Sequence, residues 1–148
     1  MTVTVSDVID MDRGLIGPVR PGSSLGDANK LMVENRIGAL VVVDQNDLLV
    51  GIISERDVTR GLQEFGLDVL DKLVGDVMTS NVISCNPATD IRDATDMMIQ
   101  NGIRHLPIQD EGKPLTLLSI RDIVAVRLGT LEADNELLRA QLEEMAKA

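Results

Sequence analysis

The sequence predicts an α/β (α+β) fold. Two tandem copies of a β-α-β-β-α unit pack sheet to sheet about a pseudo-twofold axis, and a coiled-coil helix follows them. Three observations predict this. First, Pro21/Pro87, Asp27/Asp93, Ala28/Ala94, Met32/Met98, Asn35/Asn101, Ile37/Ile103, Leu40/Leu106 and Asp44/Asp110 all stand 66 residues apart. The spacing then drops to 65, between Asp57 and Asp122, so the single gap falls in a turn. Second, short apolar runs rich in β-branched residues alternate with segments of helical period. Third, Leu128–Ala148 divides into three heptads. Two copies of so small a unit pack on each other, because neither alone buries its sheet face. The boundaries are 5–66 for the first repeat, 67–127 for the second and 128–148 for the tail.

Val5-Ser6-Asp7-Val8-Ile9 opens the chain and returns as Val74-Gly75-Asp76-Val77-Met78, a short lead-in to each repeat. Ile16–Arg20 reads as a short strand ending at the Pro21-Gly22 turn. Ser23 or Ser24 caps a helix to about Asn35, with Leu25, Ala28, Leu31 and Met32 on one face. Ala39–Val43 is wholly apolar and reads as a buried strand. Asp44–Asp47 is a polar turn, and Leu48–Ile53 completes a hairpin. A helix runs from Ser54 to about Phe65, with Val58, Leu62 and Phe65 inward, and Gly66 ends it. The second copy repeats the order. Val82–Cys85 is a strand, Pro87 a turn, and Asp90–Asn101 a helix ended by Gly102. Leu106–Gln109 and Leu115–Leu118 form a hairpin around Asp110–Lys113, and the last helix starts near Ser119.

In the tail, Leu128, Asn135 and Leu142 take the a positions and Leu131, Leu138 and Met145 the d positions. A single Asn at an a position fixes register and a two-stranded state. In a parallel pair Arg127 would face Glu132, and Asp134 would face Arg139, both attractive. That predicts a parallel homodimer. The alternative is a solvated helix docked on its own domain.

The chain has 148 residues and a formal net charge of −10, which disfavours nucleic acid and anionic membrane as partners. With one Phe and no Tyr or Trp, a base-stacking platform is not expected. Cys85 is the only cysteine and reads as a packed, inert thiol. No signal peptide and no membrane-spanning apolar run is visible, so a cytoplasmic protein is the expectation. No nucleophile elbow, phosphate loop or Cys–His pair stands in the sequence, so no enzyme is expected. His105 is the only histidine and a poor metal candidate; it is either packed or a phosphate contact.

Ser54 and Asp57 are spaced as an N-terminal helix cap, and Ser119 and Asp122 repeat that spacing. One copy reads as an ordinary cap. Two copies at strand-to-helix junctions, in matching surroundings, make an internal repeat.

Those stretches also carry a family resemblance. Ala39–Val43 with Asp44, "GIISERDV" at Gly51–Val58, "DVMT" at Asp76–Thr79, "IRHLPIQDEG" at Ile103–Gly112 and "LLSIRDIV" at Leu117–Val124 resemble a tandem pair of cystathionine-β-synthase (CBS) domains, the Bateman module. The resemblance is closest to small stand-alone bacterial proteins of this kind. It implies a regulatory module with two clefts for adenosine-containing ligands: AMP, ADP or ATP, alternatively NAD(H) or S-adenosylmethionine. No cofactor would be obligatory, and the nucleotide would be the regulatory ligand. Ser54 and Asp57 would hold the ribose in one cleft, Ser119 and Asp122 in the other. A carboxylate suits a vicinal diol, and the helix N-terminus beside it suits phosphate. Arg56, Arg121, Arg104 and His105 would reach phosphates. Asp10, Ile16, Ile37 and Ala39 would line the base pocket of the Asp122 cleft, and Thr79, Val82 and Ile103 that of the Asp57 cleft. A homodimer through the CBS faces and the C-terminal helix would signal to a regulated protein. Thr116 departs from the glycine matched at Gly51, so its Cβ is expected to crowd the cleft beside Asp122. That departure is the best support for another reading, a ligand-free structural adaptor.

Overall fold

A computed structural model describes residues 2–147. Its elements are α1 (Val5–Val8), α2 (Leu25–Asn35), β1 (Ala39–Val43), β2 (Leu49–Ser54), α3 (Glu55–Phe65), α4 (Val74–Val77), α5 (Ile91–Gln100), β3 (His105–Asp110), β4 (Lys113–Ser119) and α6 (Ile120–Lys147). Short 3-10 turns lie at Met11–Arg13 and Gly66–Asp71.

Two antiparallel hairpins form the sheets, β1 with β2 and β3 with β4, and β1 lies against β4. Their registers match down to the irregularity, which falls after Val42 in one and after Ile108 in the other. β1 is buried at every position, as its unbroken apolar run predicts. Ser24 caps α2 and Asp90 caps α5, each accepting from a backbone N–H in the first helical turn.

The expected strands Ile16–Arg20 and Val82–Cys85 each shrink to one parallel bridge, Val19 to Val42 and Cys85 to Ile108. Local side chains divert the backbone that would extend them. Arg20 N–H donates to Ser23 Oγ (3.2 Å), and Asn86 N–H to Thr89 Oγ1 (3.1 Å). Pro18, lacking an N–H, cannot lengthen the first ladder. Leu62, expected to face inward, is 49% exposed. Gly61 takes the buried place on α3, close against Val69 and Val77, where a Cβ would meet Val69 Cγ2 at 2.9 Å.

There are two cores, and the lead-in segments are exchanged between them. Val5 and Ile9 pack with Cys85, Ala94, Met98, Leu106 and Leu118. Val74 and Val77 pack with Leu25, Ala28, Met32, Leu40 and Ile53. Equivalent backbone bonds hold each exchange, Val5 N–H to Thr89 O (2.9 Å) and Val74 N–H to Ser23 O (2.8 Å). Each core therefore needs a segment from the other half of the chain. This carries the stretch after α1 across to β4.

The last helix runs unbroken through the boundary expected at residue 128. Every described residue from Arg127 onward is exposed, including Leu128, Leu131, Leu138, Leu142 and Met145 at 54–73%. The heptad face is thus not docked on its own domain. Ala148, the final heptad position, lies outside the described residues. Among the described residues no helix is long and apolar enough to cross a membrane.

Candidate functional site

Two clefts open between the halves, a larger one of about 460 Å³ and a smaller one of about 220 Å³. Gly38, Glu55, Arg104 and His105 line both, so the clefts meet at this point. Gly38 is close-packed there: a Cβ would stand 3.0 Å from His105 Cε1.

The larger cleft brings together Ile16, Ile37, Ala39, Ser119, Arg121 and Asp122 with the shared Arg104 and His105. The smaller brings together Ser54, Arg56, Asp57, Thr79, Val82 and Ile103 with the same pair. Asp10 lies outside both linings. Its carboxylate accepts from Asp12 N–H (2.9 Å) and so caps the 3-10 turn Met11–Arg13. Arg56 donates to Gly102 O (3.0 Å) at the end of α5.

Both Ser–Asp pairs form the same reciprocal cap. Ser54 N–H and Oγ–H donate to Asp57 Oδ2 (2.9 and 3.0 Å), and Asp57 N–H returns to Ser54 Oγ (3.3 Å). Ser119 and Asp122 repeat this at 2.8, 3.1 and 3.3 Å. The geometry follows from a Ser ending a strand with an Asp three residues into the helix.

The second oxygen of each Asp has a different partner. Asp57 Oδ1 accepts from Arg60 Nη2 (2.6 Å), one turn along α3, and from Thr79 Oγ1 (2.9 Å). Its side chain is 3% exposed, and its carboxylate ties β2, α3 and the segment after α4 together. Asp122 instead meets Arg13 in a fork, Nη1 to Oδ1 at 3.0 Å and Nη2 to Oδ2 at 2.9 Å. Both side chains of this pair keep contact with solvent, at 35% and 21% exposure. Burial pushes the Asp122 carboxyl up, but Arg13 and the Ser119 donors outweigh it and hold it below the usual carboxylate range. The hydrogen bond to Asp122 in turn raises the Arg13 guanidinium above its ordinary value.

Thr116 is buried, yet the cleft it lines is the larger of the two, so the expected crowding does not close it, and its hydroxyl has a use. Arg13 Nε donates to Thr116 Oγ1 (3.0 Å), and Thr116 Oγ1 donates to Gly14 O (2.9 Å). Arg13 Nη2 also donates to Leu117 O (2.7 Å). The matched Gly51 has no room for such a side chain, since a Cβ there would stand 2.5 Å from Met78 Sδ.

The larger cleft is also basic on a strongly acidic chain. Arg36, Arg104 and Arg121 line it and make no side-chain hydrogen bond or ion pair among the described residues. Arg36 holds the left-handed backbone of a helix end (φ 54), and Gly102, its match in the second copy, has φ 60. His105, half-buried, is pushed down first by burial and then by Arg104. Glu55 and Asp122 pull it back only in part.

Sequence reasoning missed Arg13, Arg36 and Arg60. Arg60 was legible as a three-residue helical neighbour of Asp57. Arg36 stands where the other copy has a glycine. Arg13 had one signal: the lead-in segments are 69 residues apart and the following turns 66, so three extra residues stand in the first copy. These form the Met11–Arg13 turn.

Comparisons with known proteins agree on one architecture. The CBS domain family model matches residues 4–64 and again 74–129. A 17.7 kDa protein of Acidianus ambivalens is 38% identical over 111 residues, 74% of this chain and 66% of that protein. The crystal structure of a CBS-domain containing protein from Agrobacterium tumefaciens superposes with a TM-score of 0.78 at 30% identity, covering 84% of this chain and 99% of that one. The structure of CBSX2 in complex with AMP gives 0.74 at 31% identity, covering 86% and 97%. Paired hairpins, exchanged lead-ins and two successive matches to one family model agree: the chain belongs to the CBS domain family, as a tandem pair.

Proposed function

We propose that the chain is a non-enzymatic regulatory module that binds an adenine nucleotide in its larger cleft and signals to a partner protein. The observation that carries this reading is the larger cleft itself. It sets a carboxylate acceptor, Asp122, in a cavity whose rim holds three arginines without acidic partners. The AMP complex of CBSX2, similar over most of this chain, supports a nucleotide as the occupant. Asp122 would accept from the ribose hydroxyls, Ile16, Ile37 and Ala39 would border the base, and Arg104, Arg121 and His105 would meet phosphate. The smaller cleft would stay empty or bind weakly, because the Asp57 side chain is sealed at 3% exposure, whereas Asp122, which also takes four donors, keeps 21% of its side chain in contact with solvent. Signalling would use a cytoplasmic homodimer in which the exposed heptad face of α6 pairs with that of a second copy.

Thermal unfolding with graded AMP, ADP and ATP tests the reading. A native-state ligand at about 100 times its Kd adds about 2.7 kcal/mol. The rise is expected in the parent protein and absent in Asp122→Ala. No rise with any nucleotide would favour the second reading, a structural adaptor. The self-satisfied Arg13–Asp122 fork favours that one.

A further inference from the structure

We propose that Arg13 is a latch on the larger cleft: an adenosine ligand reaches Asp122 only by displacing it, and only a phosphorylated ligand does so efficiently. This rests on the reading that Asp122 receives the ribose.

Arg13 now occupies the acceptor. Its fork donates once to each Asp122 oxygen, and Ser119 N–H and Oγ–H share Oδ2 with it. A ribose diol offers two neutral O–H donors to the same carboxylate. Exchanging a guanidinium for a diol leaves Asp122 satisfied but strips Arg13 of its counter-charge inside a partly desolvated cleft. A neutral nucleoside supplies nothing in return. A nucleotide brings its own anion, so Arg13 exchanges carboxylate for phosphate and both charges remain paired. Discrimination by charge therefore follows from the exchange itself, over and above direct contacts from Arg36, Arg104 and Arg121.

Three features set Arg13 apart from an incidental surface pair. It sits on the three-residue turn that the second copy lacks. Its Nε is anchored on Thr116, the residue that replaces the matched glycine Gly51. The same Thr116 hydroxyl holds Gly14 O, so releasing Arg13 also loosens the segment that joins α1 to the first repeat. Nucleotide binding would thus be felt at the exchanged lead-in.

The test is calorimetric titration of AMP and adenosine into the parent protein, Arg13→Gln and Thr116→Val, with circular dichroism to verify folding. The expected result is that Arg13→Gln raises adenosine affinity and cuts the AMP-to-adenosine preference at least tenfold. Thr116→Val keeps the guanidinium but removes its anchor, and is expected to shift the preference the same way by a smaller factor. In the parent protein the Arg13 Nε–H resonance should move as AMP is added. An unchanged preference in Arg13→Gln with binding intact overturns the latch while leaving the ribose reading in place, as does an Arg13 resonance unmoved at saturation. Absence of binding by AMP and adenosine to parent and variants alike overturns the ribose reading, and the latch with it.

Discussion

Asp57 and Asp122 occupy matched positions, cap their helices through the same serine geometry and line the two clefts of one module. Their remaining hydrogen-bond partners and their exposure differ. Asp57 is sealed in place by a residue of its own helix, Arg60, and by Thr79. Asp122 is held from the far end of the chain by Arg13, and both partners reach solvent. One cleft is about half the volume of the other. A repeat that duplicates a motif does not duplicate a site, because two of the four donors on each carboxylate come from outside the motif. In the smaller cleft the acid is a buried structural tie, and in the larger its partner is a part-exposed arginine.

The largest contrast is expected in stability. Asp57→Ala leaves Thr79 and the Ser54 N–H without their acceptor in a buried site, a cost of about 2–3 kcal/mol. Asp122→Ala, at a wetter site, is expected to cost about 1 kcal/mol. Urea unfolding measures both, and equal losses would break the comparison.

Exchanging the matched residues Gly51 and Thr116 comes next. Gly51→Thr forces a Cβ onto Met78 Sδ and is expected to cost about 1–3 kcal/mol by overpacking. Thr116→Gly removes two hydrogen bonds and adds backbone freedom, about 1–2 kcal/mol, but enlarges the larger cleft. Denaturant midpoints give the order, and a milder effect of Gly51→Thr would show the two positions to be interchangeable.

A smaller effect is expected with acid. Because the Asp122 carboxyl lies below its unfolded value, its contribution to stability is present above that value and is lost as pH falls through the folded one. The stability excess of the parent protein over Asp122→Asn should hold from neutrality to about pH 5 and close below about pH 4. A gap that persists into strong acid would mean that charge plays no part in the fork.

The smallest effect concerns His105, where the clefts meet. Its imidazole is pushed below the ordinary value, so the unfolded chain takes up a proton first and stability falls as pH drops through that range. Acidifying from about pH 7.5 to about pH 5.5 should cost the parent protein more stability than it costs His105→Gln. Identical slopes would place His105 in an unperturbed setting.

Much of this molecule was legible in order along the chain. The 66-residue repeat, the buried run Ala39–Val43, the Ser caps and the glycine helix ends are local signals, and each arose from backbone geometry that a few neighbouring residues control. The heptads of the tail were legible for the same reason, and the structure adds that their apolar face stands free. The short strands failed because Ser23 and Thr89 captured the backbone donors that would have extended them. Leu62 failed because a glycine one position earlier allows the closest approach to Val69 and Val77.

The site divides along the same line. The sequence by itself determined that two Ser–Asp caps exist, that they sit at strand-to-helix junctions, and that basic residues stand near them. Only the tertiary structure decided that α1 crosses to the other core, and that this crossing lays Arg13 on Asp122, 109 residues away. The physical reason is that a cap is closed within one turn of helix. The partner of a cleft carboxylate is fixed instead by which segments the cores exchange, and that depends on packing over the whole chain.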